Sequence, residues 1–240
     1  QDVLGQVCEF DSSEFDVPPS RNRAIGRMRP DADEVRQALA LMHAARRPLI
    51  VAGGGVVTSG AADQVRELAR RWRSPALPTQ MALGVVATES PHFIGHGGLI
   101  AGDPVRQAFE QSDLVLAVGC RWSSWMWDER GPLARRSQRL ISINIDASAL
   151  GHPALHDLAL QSDARSALDD LLAHGAQELG EAVDREWLPG LRRARGLYES
   201  RLASMREEAA PDQPMHPAAL AHAIGQALPT DALAVFDGGH

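Results

Sequence analysis

The segment from Arg47 to Gly60 constrains the fold more than any other part of the chain. Its apolar run, Leu49–Ala52, lies between a proline and three consecutive glycines, which is typical of a buried strand in a parallel sheet. Glycines carry no Cβ and allow close backbone approach. We expect Ser59 to cap a following helix, Gly60–Trp72. A strand, a glycine loop and a helix N-terminus suit a phosphate group, although a tight turn without a ligand uses the same residues.

Composition excludes several classes of protein. The 240 residues are 44% hydrophobic and 23% charged, as in ordinary globular chains. The net charge of -7, without a basic stripe, argues against nucleic-acid binding. No apolar run reaches the roughly 18 residues of a membrane span. Cys8 and Cys120 form no C-x-x-C motif, which fits a cytoplasmic protein without structural zinc.

Apolar runs alternate with helical patterns along the middle of the chain. Strands are predicted at residues 49–52, 75–79, 113–118, 140–145 and 158–161. Helices are predicted at residues 31–45, 60–72, 103–111 and 164–174, the first with a capping box formed by Asp31 and Glu34. This order predicts an α/β fold with a doubly wound parallel sheet and helices on both faces.

The flanking segments predict a chain of several parts. Residues 1–30 resemble a linker in composition, 31–176 form the central domain, 177–214 a helical linker, and 215–240 the start of a second α/β domain. In the helical linker we expect one or two helices, interrupted near Pro189–Gly190. In the last part we expect a helix at Pro217–Leu228 and a strand at Ala232–Phe236.

Ligands of such sheets bind beyond the carboxyl ends of the strands. The candidate binding residues there are Gly53, Gly54, Gly55, Thr79, Gln80, Gly97, Gly119, Arg121, Asp146 and Asp163. The Arg121 guanidinium can bind an oxyanion or pair with a nearby carboxylate. Asp146 can accept ribose hydroxyls or cap a turn, and for Asp163 helix capping is the favoured role.

Catalytic and metal-binding motifs are not found in the sequence. There is no H-E-x-x-H, no G-x-S-x-G and no paired-carboxylate motif. Cys120 is expected to close a buried strand and not to be an activated thiol. The tryptophans of one loop, Trp122, Trp125 and Trp127, are expected to line a ligand cleft or a subunit interface, or to cover the sheet edge.

Several segments, in order, resemble the central domain of thiamine-diphosphate-dependent enzymes, and most closely the acetolactate synthase-like group. They are Arg47–Val56, Ser59–Ala61, Pro78–Thr79, Gly95–Gly98, Asp113–Gly119 with Arg121, and Ile143–Asp146. Gln1–Leu4 resembles the close of that family's pyrimidine-binding domain. Pro217–His240 resembles the opening of its diphosphate-binding domain, where Gly239 and His240 would begin the contacts to thiamine diphosphate.

The resemblance implies a 2-oxo acid decarboxylase or carboligase that uses thiamine diphosphate and Mg²⁺, mostly through segments outside these 240 residues. The family's activating glutamate would precede residue 1, and its G-D-G…N magnesium motif would follow residue 240. We therefore expect a fragment that is inactive alone. The resemblance further implies a small 2-oxo acid substrate, a cytoplasmic homodimer or homotetramer, and no nucleic-acid or membrane partner.

In this family the central domain binds FAD, ADP or nothing. The flavin-binding members resemble this chain at Gly119 and Arg121, but they carry Phe-Asp-Asp where it has Trp122–Trp125, and a histidine in place of Gly97. FAD is the first candidate and ADP the second. The alternative is a structural module that spaces two catalytic domains and binds no nucleotide. A free-standing nucleotide-binding protein is a third possibility, against which the linkers argue.

Overall fold

The computed structural model describes residues 7, 9, 11–18, 21, 26–98, 101–122, 138–151, 156–175, 179–207, 215–229 and 231–235. The strands in these ranges are β1 (Pro48–Ala52), β2 (Ala76–Pro78), β3 (Leu114–Val118), β4 (Arg139–Asn144) and β5 (Leu158–Gln161). The α-helices are α1 (Ala32–Ala44), α2 (Gly54–Ser59), α3 (Ala62–Trp72), α4 (Asp103–Gln111), α5 (Ala164–His174), α6 (Trp187–Glu207) and α7 (Pro217–Ala227). Short 3₁₀ helices occupy Ser12–Asp16, Gln80–Ala82 and Ala147–Ala149.

The strands form one parallel sheet in the order β2-β1-β3-β4-β5. The connections leaving β1 and β2 run in opposite directions across the sheet, and right-handed crossovers therefore place α3 and α4 on opposite faces. The doubly wound α/β fold predicted from the sequence is confirmed. At one edge Ala52 pairs with both Pro78 and Val118, so the carboxyl ends of β1, β2 and β3 are level.

The core is built on the two central strands, because every residue of β1 and β3 is buried. Their near-continuous apolar sequence fits a sheet that is covered on both faces. Trp72, the last residue of α3, is fully buried, and its indole N–H donates to the Met42 carbonyl oxygen of α1 at 3.1 Å. This bond satisfies the one polar atom of a large buried side chain, so α1 and α3 pack without an unpaired donor.

Local capping signals in the sequence are confirmed at two helices. Asp31 and Glu34 form the reciprocal capping box at the start of α1. The Asp163 carboxylate accepts from the Ser166 amide at 3.1 Å and caps α5. Both helices begin at the residue after their cap, as the pattern predicts.

The helix after the glycine loop differs from the prediction. It begins inside the triplet as the short α2 and ends at Gly60, whose φ of 65° is left-handed. α3 then begins at Ala62, and Ser59 does not cap it. The burial of Val56 on the core side explains the early start, because glycines at a helix N-terminus cost little when the next turn packs.

The predicted interruption near Pro189 is wrong, because α6 is continuous from Trp187 to Glu207. Pro189 lies in the first turn, where its missing N–H would have no intrahelical partner. The Trp187 indole donates to the Pro48 carbonyl oxygen of β1 at 2.8 Å. On the same helix, the Arg195 guanidinium donates to the carbonyl oxygens of Thr88 and Phe93 at 2.9 and 2.8 Å. α6 is thus anchored on the sheet domain.

The predicted strand at Ala232–Phe236 is also not formed in its described part. Ala232–Val235 has no strand pairing, and Leu233 and Val235 are almost fully exposed. A strand needs a partner, and no described segment pairs with this one. Of the helices in the described ranges, none is long and apolar enough to cross a bilayer.

Candidate functional site

The loops after β1 and β3 meet backbone to backbone at the point where the strand order reverses. The Gly53 amide donates to the Val118 carbonyl oxygen at 2.8 Å, and the Gly55 amide donates to that of Gly119 at 3.1 Å. A Cβ on Gly53 would lie 2.2 Å from the Gly119 carbonyl oxygen, and one on Gly119 would lie 2.6 Å from the Gly55 Cα. These glycines therefore allow two loops to touch, and two amides of the triplet bond to the neighbouring strand and loop.

The loop after β2 brings three further candidates to the same edge. The Thr79 amide donates to the Ala52 carbonyl oxygen at 2.8 Å, and Thr79 pairs with Gly97 in a short parallel bridge. Gln80 is exposed in the 3₁₀ helix that follows. A Cβ on Gly54 would lie 3.2 Å from the Met81 Cβ, so this loop packs on the start of α2. Candidates distant in sequence thus lie side by side.

Arg121 and Asp146 lie at the ends of the neighbouring strands β3 and β4, and both are exposed. The pKa of Asp146 is lowered chiefly because its carboxylate accepts from the hydroxyl and amide of Ser148, and also by the positive charge of Arg121. Both bonds fall on Oδ1, at 2.7 and 2.9 Å. The turn-capping role predicted for Asp146 is therefore present, next to a guanidinium that can bind an anion.

A cleft of about 110 Å³ opens between α2 and the ends of β3, β4 and β5. Its walls combine glycine backbone with polar side chains: Gly55, Thr58, Ser59, Gly119, Ile143, Asn144, Ile145, Ser162, Asp163 and Ala164. The Ser162 hydroxyl is fully buried and has no hydrogen-bond partner among the described residues. Because buried polar groups are normally paired, this hydroxyl is a group that a ligand in the cleft could satisfy.

Arg27 is a member of this region that the sequence analysis missed. Its guanidinium donates to both carboxylate oxygens of Asp163, at 2.9 and 3.0 Å, and to the Ser59 carbonyl oxygen at 2.9 Å. The Asp163 amide in turn donates to the Met28 carbonyl oxygen. No local pattern in the sequence predicts these contacts, because Arg27 is 32 residues from Ser59 and 136 residues from Asp163 along the chain.

Asn144 is the second residue of this region that the sequence analysis missed. It is buried at the end of β4, where its side-chain amide donates to the Cys120 carbonyl oxygen at 2.8 Å. Its Oδ1 accepts from the Asp146 amide at 3.0 Å. A polar residue inside an apolar strand signals a buried hydrogen bond, so the alternation of Ile and Asn could have marked it.

The remaining candidate residues of the described ranges do not line the cleft. Burial raises the pKa of the Cys120 thiol to about 12, so it is not an activated nucleophile, as expected. Trp122 is buried in the core and does not line the cleft. The predicted roles of four residues concern positions outside the described part of the chain: Trp125, Trp127, Gly239 and His240. No group of His, Cys, Asp and Glu side chains in the described ranges could hold a metal ion.

The site and the fold define a parallel α/β domain with polar groups at its carboxyl edge. Residues 35–171 match the family model described as the thiamine pyrophosphate enzyme, central domain. The chain therefore belongs to the thiamine-diphosphate-dependent enzyme family, through its central domain.

Several proteins with different enzyme names are similar in sequence to this chain. The chain is 28% identical over 206 residues to the "Probable acetolactate synthase large subunit" of Methanocaldococcus jannaschii, covering 85% of this chain and 33% of that protein. It is 32% identical over 216 residues to the "Probable 2-ketoarginine decarboxylase" of Pseudomonas aeruginosa, covering 90% and 36%. It is 29% identical over 194 residues to the "Glyoxylate carboligase" of Escherichia coli O157:H7, covering 78% and 31%. The chain thus spans about a third of the length of these relatives.

Proposed function

We propose that this chain is the central part of a thiamine-diphosphate-dependent decarboxylase or carboligase that acts on a small 2-oxo acid. The family membership supports the cofactor, and the names of the relatives support this range of reactions. When bound, thiamine diphosphate supplies the electron sink for the loss of CO₂. Mg²⁺ and assembly as a homodimer or homotetramer belong to the same proposal.

We further propose that the carboxyl edge of the sheet binds a nucleotide, with FAD as the first candidate and ADP as the second. One observation carries this proposal: Asp163 and the Ser162 hydroxyl, which has no hydrogen-bond partner among the described residues, line a cleft with glycine backbone in its walls, and Arg121 and Asp146 lie at the ends of the strands beside it. Arginine suits a phosphate, and a carboxylate at the end of a strand suits ribose hydroxyls.

The size of the cleft limits how the nucleotide fits. About 110 Å³ is below the roughly 300–1,000 Å³ of pockets that enclose a whole ligand. The cleft therefore suits one ribose or one phosphate group, and the rest of a nucleotide would lie along the edge towards Arg121 and Thr79. Since the amides of Gly53 and Gly55 already bond to backbone carbonyls, the glycine triplet would contribute close approach.

The test begins with the absorption spectrum of the purified protein, followed by release and identification of any bound nucleotide. FAD and ADP are then titrated into the nucleotide-free protein by calorimetry. We expect Arg121→Gln to weaken binding about tenfold, because it removes a charge-assisted hydrogen bond. Arg36→Gln is the matched control, since Arg36 is an exposed arginine paired with Asp33 on the surface of α1. Binding unchanged by Arg121→Gln would contradict the proposed role of this residue.

The structural module without a nucleotide remains the second candidate, and one observation favours it. Large apolar side chains are exposed along the same carboxyl edge: Val57, Met81, Leu83 and Ile145. Exposed apolar groups of this kind suit contact with another protein surface. A colourless protein that binds neither FAD nor ADP would favour this candidate over the nucleotide site.

A further inference from the structure

Asn144 joins the two loops that carry the polar groups of the carboxyl edge. Its side-chain N–H donates to the Cys120 carbonyl oxygen in the loop after β3, and its Oδ1 accepts from the Asp146 amide in the loop after β4. Its own carbonyl oxygen accepts from the Ser162 amide at 3.0 Å in the loop after β5. One buried residue therefore ties three strand ends together.

The Cys120 bond fixes the backbone directly before Arg121. Cys120 and Trp122 are both buried, whereas Arg121 between them is exposed. Trp122 has a φ of 47°, a left-handed conformation that a bulky residue seldom adopts. The backbone thus turns between two buried anchors and leaves Arg121 exposed, near enough to Asp146 for its positive charge to lower the pKa of that carboxyl group.

The two side-chain hydrogen bonds at position 144 require a carboxamide group. The side chain must donate to a carbonyl oxygen and accept from a backbone N–H at the same time, and a neutral carboxamide offers both. An aspartate would keep the acceptor but would place a second oxygen against the Cys120 carbonyl. An alanine would remove both bonds.

We propose that Asn144 is a positioning residue that sets the separation of Arg121 and Asp146 for the phosphate and the ribose of one nucleotide. This inference rests on the proposed nucleotide site, because it assigns the two ends of the ligand to these two side chains. Asn144 acts through the loops and does not itself need to touch the ligand.

The first test compares nucleotide affinity in Asn144→Ala, Asn144→Asp and Ser142→Ala, with FAD and ADP as the probes. Ser142 is buried two residues earlier on the same face of β4, and its hydroxyl has no partner in the described ranges, so it is the matched control. We expect both Asn144 variants to bind about tenfold more weakly and Ser142→Ala to bind normally. In a double-mutant cycle, Asn144→Ala and Arg121→Gln should not be additive. Additive losses would overturn the inference.

A second test needs no nucleotide, so it separates this inference from the proposed function. The pKa of Asp146 is measured by carbon NMR of its carboxyl group. Arg121→Gln should raise that pKa in the otherwise unchanged protein and should raise it less in the Asn144→Asp background, because the loops no longer hold the two charges together. An equal rise in both backgrounds would overturn the positioning role, even if nucleotide binding were established.

A third measurement uses the protein without substitutions and therefore does not depend on the folding of any variant. The Asp146 amide should exchange slowly with deuterium although its residue is exposed, because Asn144 Oδ1 accepts its hydrogen bond. Exchange as fast as that of an unbonded loop amide would show that the Asn144 bridge does not persist in solution, and would refute the inference.

Discussion

The two halves of the carboxyl edge are built in opposite ways. On the β1 and β3 side, glycine backbone packs against glycine backbone, and a single added methyl group at Gly53 would lie 2.2 Å from a carbonyl oxygen. On the β4 and β5 side, buried and half-buried polar side chains border an open cleft, among them Asn144, Ser162 and Asp163. The glycine half holds the two central strand ends together. The polar half borders the cleft that is proposed to bind part of a nucleotide.

A glycine-rich turn is therefore not by itself a phosphate site. Its amides can bind a ligand only when the protein has not already used them, and here Gly53 and Gly55 donate to the β3 strand end and the loop after it. Side chains with spare hydrogen-bonding capacity are a stronger indication. In this protein such side chains are the buried Ser162 hydroxyl, which has no partner among the described residues, and the exposed Arg121 after β3.

The largest expected effect comes from filling the glycine half. Gly53→Ala should lower the free energy of unfolding by about 3 kcal/mol, because the added Cβ would displace backbone and not a flexible side chain. Gly60→Ala is the control, since it has space around it and bears only the cost of a left-handed φ, about 1 kcal/mol. Urea unfolding measures both. Equal losses of unfolding free energy in the two variants would show that backbone conformation, and not contact between the loops, is the reason for a glycine at position 53.

A moderate effect is expected in the polar half at Asp163. Asp163→Ala removes both the cap of α5 and the partner of Arg27, and should lower the free energy of unfolding by about 1–2 kcal/mol. Asp163→Asn keeps a capping side chain and loses only the ion pair, for which we expect less than about 1 kcal/mol. Thermal or urea unfolding separates the two. If Asn is as harmful as Ala, the contact with Arg27 dominates and the cap does not.

The smallest expected effect is a pH dependence on the β4–β5 side. Gly151 donates its amide to His156 Nε2 at 3.2 Å, and burial lowers the pKa of His156 below its usual 6.5, against the opposing charge of Asp157. The unfolded chain then binds a proton more readily than the folded chain. Stability should therefore decrease as pH falls below about 6.5 and level off below the folded pKa.

The variant His156→Gln isolates this contribution, because glutamine does not titrate. Its unfolding free energy should vary less between pH 7 and pH 5 than that of the unsubstituted protein. His92 also has a pKa lowered by burial, so the comparison is made between these two proteins and not against a flat baseline. Identical pH profiles would show that folding does not lower the pKa of His156.

Much of the fold could be predicted because its signals are local. Apolar runs of four to six residues placed all five strands, and the caps at Asp31 and Asp163 placed the start of two helices. Three predictions were wrong. The helix after the glycine loop was expected at residues 60–72 with Ser59 as its cap, but α2 begins at Gly54 and α3 begins at Ala62. The proline near the start of α6 was weighed without its position in the first turn, and Ala232–Val235 was assigned as a strand without a partner.

The candidate site was predicted less completely. The rule that ligands bind at the carboxyl ends of parallel strands placed Thr79, Gly119, Arg121 and Asp146 at one edge, and the structure brings them there. Their roles in binding stay predictions. Arg27 was missed because its carboxylate partner, Asp163, is 136 residues away, and Asn144 was missed because the polar residue at the end of an apolar strand was not considered as a buried hydrogen-bonding group.

Local patterns in the sequence were enough to predict most helices and strands and the edge of the sheet where the polar residues gather. Hydrophobic periodicity and helix caps depend on neighbours within a few residues, so they can be recognised in a single chain. Three features became visible only in the folded chain: the glycines pack on each other, Arg27 contacts Asp163, and Asn144 bridges two loops. These features depend on contacts between distant segments, and such contacts exist only when the sheet has brought the strand ends together.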